Sequence, residues 1–337
     1  MSSIISDSYG ATELPDSSDS SDTVLDVTAD DKPRDGNCYK YLHHFLMIVC
    51  LSIGSYLGVI TRIYTSIYLS LFDNIDQFTS LWAQVIGTGV IGYLVINKSN
   101  INNVLYTSLA TGLCGSLTTF STWNAESALV LLQLNESTLV TINRPDYVKG
   151  GVSGLMILFI GIGLPLSSFI FGSNMGRVFK APVITSSYYV TGYVSSVLLY
   201  IISTTIIIIV CLITDNYYIL FSLLFGPIGT YLRWRLAYFD VNFLKNDFPM
   251  GTLISNYTGS LILAGCMVAR LHVNNPTVVQ LINGVITGFC GCLTTVSTFI
   301  SQITKLSFKM SSIYVLISLT TVQITYITIF IIYSVVY

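Results

Sequence analysis

The sequence predicts an all-α polytopic membrane protein: two inverted four-helix repeats joined by one extra transmembrane helix, nine spans in all, with a broken third helix in each repeat. Three observations carry that prediction. Mean hydropathy is +0.70 and only 9% of residues are charged, against about 25% in soluble domains. Nine apolar stretches are each long enough to cross ~30 Å of hydrocarbon as a helix. The segment Thr111-Gly112-Leu113-Cys114-Gly115-Ser116-Leu117-Thr118-Thr119-Phe120-Ser121-Thr122-Trp123 returns 176 positions later as Thr287-Gly288-Phe289-Cys290-Gly291-Cys292-Leu293-Thr294-Thr295-Val296-Ser297-Thr298-Phe299, with nine of thirteen positions identical.

Residues 1–38 hold nine acids against Lys32 and Arg34, which leaves eight acids and thirteen bases for the rest of the chain. This stretch is rich in Ser and Asp and lacks the apolar core of a signal peptide, so it reads as a disordered acidic cytoplasmic tail. Two readings of it stand, a phosphorylated extension and a solvated tail without a role.

The apolar stretches follow at 41–71, 80–97, 102–134, 149–172, 189–213, 217–239, 250–271, 277–304 and 311–336. The first includes Arg62, so its far end is expected to leave the hydrocarbon. The third and eighth carry the Gly/Thr/Ser centres and are expected to be broken. The repeat extends to their neighbours. Gly58-Val59-Ile60-Thr61-Arg62 matches Gly229-Thr230-Tyr231-Leu232-Arg233, and Gln84-x-x-Gly87 matches Asn256-x-x-Gly259. This divides the chain into the tail (1–38), a first repeat (39–180), a linking helix (181–215) and a second repeat (216–337). The linking span has no partner, and its use is topological: an odd number of crossings inverts the second copy.

The basic residues agree with that inversion. With the N-terminus cytoplasmic, Lys32, Arg34, Lys40, Lys98, Arg177, Lys180, Arg233, Arg235, Lys245, Lys305 and Lys309 face the cytosol, and Arg62, Arg144, Lys149 and Arg270 face outside. Eleven against four follows the positive-inside rule and puts Tyr337 outside. The sequon Asn135-Glu136-Ser137 then falls in an external loop.

No Ser/His/Asp set, phosphate loop or nucleotide motif is present, so the chain reads as a non-enzyme without a nucleic-acid partner. Cys50, Cys114, Cys211, Cys266, Cys290 and Cys292 lie in apolar segments and read as small packing residues. Asn256, Gln84, Thr118, Thr119, Ser121, Thr122, Glu126 and Gln302 remain at membrane depth. Interhelical hydrogen bonding explains any one of them. Their clustering with Gly in two inverted copies also fits broken helices that expose polar groups to an ion.

Gly251-Thr252-Leu253-x-x-Asn256-x-x-Gly259-Ser260, Gly288-x-x-Gly291-x-Leu293-Thr294-Thr295-x-Ser297-Thr298-Phe299 and the Gly-x-x-x-Arg patterns ending at Arg62 and Arg233 resemble the Fluc/CrcB family of fluoride channels and its fused eukaryotic branch, FEX. The resemblance covers both four-span units. It implies a dual-topology fold acting as a single-chain pseudo-dimer in the plasma membrane, in contact with lipid and passing fluoride. It implies pores lined by an Asn of the second helix and by two aromatic rings, whose edges are positive, each pore drawing one ring from each half. Pairing Phe120 with Phe299 and Asn256 gives one complete pore, with the hydroxyls of Thr119, Ser121, Thr295 and Ser297 as stepping donors. Pairing Val296 with Trp123 and Gln84 gives a degraded one. The alternative is that these replacements are harmless and both pores conduct.

The same resemblance implies a structural sodium ion between the repeats, on the carbonyls of Gly115, Thr118, Gly291 and Thr294. It matches Arg62 and Arg233 to an arginine near the end of the first helix, which suits anion attraction at the vestibules or headgroup anchoring. Glu126, matched by Gln302, either orients a pore helix or is a buried, hydrogen-bonded carboxylate. The function so implied is passive fluoride export from the cytosol. The competing reading is an inverted-repeat scaffold or a transporter of another small solute.

Overall fold

The computed structural model describes residues 36–69, 78–142, 145–183, 189–242 and 248–336. Most of the acidic tail, Arg144, Lys245 and Tyr337 lie outside the described residues. Helix α1 (Gly36–Tyr68) takes in the last three residues expected in the tail. α2 (Leu81–Ile96) follows.

The third apolar stretch is interrupted as expected. It runs as α3 (Asn103–Thr107), a π-helical segment Ser108–Cys114, a short α4 (Gly115–Leu117), two extended residues, and α5 (Phe120–Leu132). π-Segments inside α-helices are rare and are found mostly at functional sites. α6 (Tyr147–Val178) completes the first set, and α7 (Tyr189–Ile213) is the linking helix.

The second set repeats this order: α8 (Tyr217–Leu236), a short α9 (Tyr238–Asn242) and α10 (Met250–Leu271). Then come α11 (Pro276–Gly284), a π-segment Val285–Cys290, α12 (Gly291–Leu293), a break, α13 (Ser297–Ile303) and α14 (Phe308–Val336). Local sequence explains the ends. Asn275 accepts from the amides of Thr277 and Val278 ahead of Pro276, an N-cap followed by the imino acid that best starts a helix. Asn102 caps α3 in the same way.

Among the described residues, six helical stretches are long and apolar enough to cross a membrane: Lys40–Tyr68, Tyr147–Val178, Val194–Ile213, Met250–Leu271, Pro276–Ile303 and Phe308–Val336. The other three expected spans fall short for visible reasons. α2 has only 16 residues, the third stretch is broken, and α8 ends on Arg233 and Arg235.

The linking helix lies on the outside of the bundle, with Tyr200 stacked on Tyr56 of α1. The main core is shared by both repeats, with Cys114, Phe120 and Trp123 of the first packed among Cys290, Val296, Phe299, Tyr314 and Tyr326 of the second.

Candidate functional site

The two breaks meet. The chain is extended at Thr118 (φ −95°, ψ 138°) and at Thr294 (φ −91°, ψ 154°), so each following helix starts with unpaired amides. Each repeat supplies the cap for the other. Thr118 Oγ1 accepts from the amides of Val296 (3.3 Å) and Ser297 (3.0 Å), and Thr294 Oγ1 accepts from the amide of Ser121 (3.2 Å). Both hydroxyls donate back to their own π-segments, at Cys114 O and Cys290 O, each at 3.0 Å.

Around them the side chains of Thr119, Ser121, Thr295 and Ser297 are buried in one hydroxyl cluster spanning the two halves. Gly87 and Gly259 make room for it. A Cβ at either would lie about 2.5 Å from the methyl of Thr118 or Thr294 (2.5 and 2.4 Å).

The Gly-x-x-x-Arg motifs now have a physical meaning. A Cβ on Gly58 would stand 2.7 Å from Leu113 O, and one on Gly229 2.4 Å from Phe289 O, so the first helix of each repeat closes directly on its own π-segment. The arginine one turn later then crosses to the other repeat. Arg62 Nη1 donates to Gly291 O at 2.9 Å and Nη2 to Thr287 O; Arg233 Nη2 donates to Thr111 O at 2.7 Å. The two side chains are 5% and 4% exposed. The expectation of vestibule arginines is therefore corrected: both are buried between the repeats.

This bears on the expected sodium set. Gly291 O is occupied by Arg62, and Arg233 stands so close to Gly115 that a Cβ there would lie 1.8 Å from Nη1. Two guanidiniums thus lie beside two of the four residues expected to hold a sodium ion. Both guanidiniums bring positive charge to the place where the repeats meet.

The ring pairing expected from the sequence is present. Phe120 and Phe299 meet edge to face, with centroids 5.2 Å apart at 70°. Asn256 on α10 clamps the break of its own repeat, with Oδ1 accepting from Thr295 N (2.8 Å) and Nδ2 donating to Thr295 O (3.3 Å). One hydrogen of a two-donor amide remains.

Gln84 reproduces only the donor half of this clamp. Its Nε2 reaches Ser80 Oγ and Thr119 O, at 3.2 and 3.4 Å, and its Oε1 is buried without a partner. Trp123 is fully buried, with Nε1 donating to Ile157 O at 3.0 Å and its indole filling the space left by Gly161. Val296 is also fully buried.

Packing is exchanged evenly between the repeats: α5 lies against α10 and α14 of the second, and α13 against α2 and α6 of the first. The fourth helices, α6 and α14, differ in what they bury, which motif reading missed. The buried face of α14 mixes polar and apolar residues, Tyr314, Ser318, Val322, Gln323, Tyr326 and Phe330, with Gln323 donating to Asn124 O and Tyr326 to Ser121 O, both at 3.0 Å. The buried face of α6 carries Gly150, Gly154, Ile157, Gly161, Pro165, Phe169, Gly172, Ser173 and Gly176, with Ser173 as its one buried side-chain hydrogen-bonding group. Ser260 Oγ on α10, and Ser318 Oγ and Gln323 Oε1 on α14, are buried without protein partners. Orphaned polar atoms of this kind call for water or an ion.

Each second helix also starts on a carboxylate. Glu126 accepts from the Thr79 amide and hydroxyl and from Ser80 Oγ, at 3.1, 2.8 and 3.0 Å. In the second repeat the acid is Asp240, which sequence reading did not single out.

A family model described as "CrcB-like protein, Camphor Resistance (CrcB)" matches residues 49–164 and 220–333, one copy in each repeat. Among curated proteins, the chain is 29% identical over 235 residues to Fluoride export protein 1 of Candida albicans, covering 63% of this chain and 58% of that one. It is 25% identical over 282 residues to Fluoride export protein 2 of Saccharomyces cerevisiae, covering 65% and 73%. A 91-residue stretch is 38% identical to the fluoride-specific ion channel FluC of Acinetobacter baumannii, covering 27% of this chain and 70% of that one. The chain spans about half the length of the first curated relatives it matches, 58% of the Candida protein and 44% of Fluoride export protein 1 of Neurospora crassa. No solved structure matches.

Proposed function

The chain belongs to the CrcB-like family, and from that premise we propose that it is a passive, fluoride-selective channel that lets the ion leave the cytosol. The relatives' names, fluoride export protein and fluoride-specific ion channel, support the ion and the direction. The observation that carries the reading in this chain is the edge-to-face meeting of Phe120 with Phe299, one ring from each repeat, with Asn256 held on the break of the second repeat at Thr295. Ring edges and a spare amide hydrogen offer a small anion positive partners without a metal. The buried hydroxyls of Ser260 and Ser318 continue a polar lining along α10 and α14.

We read this as the one working pathway. Its counterpart is closed by the fully buried Trp123 and Val296, and Gln84 Oε1 is left without the backbone partner that Asn256 Oδ1 has. The chain works as a pseudo-dimer with nine spans, its N-terminus in the cytosol and its second repeat inverted, in the plasma membrane. Arg62 and Arg233 hold the two halves together and lower the cost of bringing an anion into low dielectric.

The test is fluoride efflux from proteoliposomes containing the purified chain. Wild type should release fluoride down its gradient without added nucleotide, and Phe299→Ile should not. Liposomes that retain fluoride with the wild-type protein would refute the proposal and favour a scaffold or a carrier of another solute.

A further inference from the structure

The two repeats fasten the start of their second helices with the same chemistry placed on different residues. In the first repeat Glu126, on the post-break helix α5, binds Thr79 and Ser80 directly. Its counterpart in the second repeat, Gln302 on α13, is neutral. The acid has moved to Asp240 in the short helix α9. Asp240 Oδ1 accepts from the amides of Gly251 (2.5 Å) and Thr252 (3.1 Å), and Oδ2 accepts from Thr252 Oγ1 (2.9 Å) and Gln302 Nε2 (3.0 Å). Gln302 Nε2 also reaches Thr252 Oγ1 at 2.8 Å. All the partners of the carboxyl are donors, the pattern an ionised carboxylate satisfies.

The transposition gives the second repeat something the first lacks. A carboxylate at position 302 is an acceptor only, whereas the amide donates to Asp240 and still accepts from Tyr314 Oη, at 2.9 Å. The Tyr314 ring packs on Phe299 at 5.1 Å, and Phe299 on Phe120 at 5.2 Å. Thr252 lies one turn before Asn256 on α10, and Gln302 lies three residues after Phe299 on α13. Through two short links, one carboxylate therefore fixes helices α10, α13 and α14, which carry the amide, one ring and the buried polar side chains of α14.

We propose that Asp240 is the positioning residue of the conducting pathway: through Thr252 and Gln302 it sets Asn256 and Phe299 in register, the task Glu126 performs from within the third helix of the first repeat. The proposal rests on the fluoride-channel reading above. It needs no contact between Asp240 and the ion.

The test moves the charge back. Asp240→Asn, Gln302→Glu and the double variant are compared with wild type in two assays on the full chain, thermal denaturation in detergent and fluoride efflux from proteoliposomes. Asp240→Asn should lower the apparent Tm and slow efflux about tenfold or more, since small misplacements of a reacting or binding group are costly. Gln302→Glu alone sets two acids against each other and should also impair both readouts. In the double variant the carboxylate occupies the position Glu126 has in the first repeat, and efflux should return to within about threefold of wild type, the strong non-additivity expected of contacting residues. A double variant no better than Asp240→Asn in either assay, or an Asp240→Asn protein with wild-type efflux, would overturn the proposal. If wild type passes no fluoride, the channel reading fails, and recovery of Tm in the double variant alone decides whether the carboxylate has been transposed.

Discussion

Thr118→Val tests the reciprocal caps, the feature that makes the two repeats one unit. Valine matches threonine in shape and removes only the hydroxyl. That hydroxyl is the acceptor for the amides of Val296 and Ser297, at 3.3 and 3.0 Å, in a site with no solvent exposure. A lost cap costs about 1 kcal/mol, and a buried donor left without an acceptor costs about 1–3 kcal/mol. The longer of the two bonds is weak, so the sum is about 2–4 kcal/mol. At roughly 2–4 °C per kcal/mol, the apparent Tm in detergent should fall by about 4–16 °C. Thr294→Val removes the acceptor of one amide, Ser121 N at 3.2 Å, and should cost about half as much. The two hydroxyls belong to one hydrogen-bonded cluster, so the double variant should depart from the sum of the single ones. Thr304→Val, whose hydroxyl bonds only the Ser301 carbonyl one turn back, is the control. If Thr118→Val shifts the Tm no more than that control, the caps across the repeats do not hold the halves together.

Three further outcomes follow from the same geometry. Gly229→Ala sets a Cβ 2.4 Å from Phe289 O, a clash with backbone that cannot rotate away, and should cost about 1–3 kcal/mol by overpacking, read as a lowered Tm. Gly265→Ala, with open space around its Cβ, should be neutral or slightly stabilising on the helix α10 in the same assay. Trp123→Phe loses the indole bond to Ile157 O and should lower stability by about 1 kcal/mol while efflux stays within about twofold of wild type.

Much of this was legible in sequence because it depends on residue types that have few other uses. The doubled Gly/Thr segment gave the breaks at Thr118 and Thr294, since hydroxyls beside glycine in an apolar run have no role facing lipid. The pairing of Phe120 with Phe299 was implied by the family resemblance, in which each pore draws one ring from each half, once the two copies were compared. The arginines were misplaced for a physical reason. Gly58 and Gly229 set how near the first helix comes to its own repeat, but a long side chain reaches either way, and only the fold shows that it crosses to Thr287, Gly291 and Thr111. Tyr314, Ser318, Gln323 and Tyr326 were illegible because they are spread among apolar residues on α14 and share a face only once the helix is packed. Asp240 escaped because it lies outside every motif and its partners are distant in sequence.

The central claim is that one of two related pathways conducts. Its most direct test sets both residue groups side by side in one fluoride-efflux assay: Phe120→Ile, Phe299→Ile and Asn256→Asp against Val296→Ala, Trp123→Ile and Gln84→Ala. Loss of efflux in each of the first three, with efflux close to wild type in the second three, is the predicted result. Equal losses in both groups would contradict it.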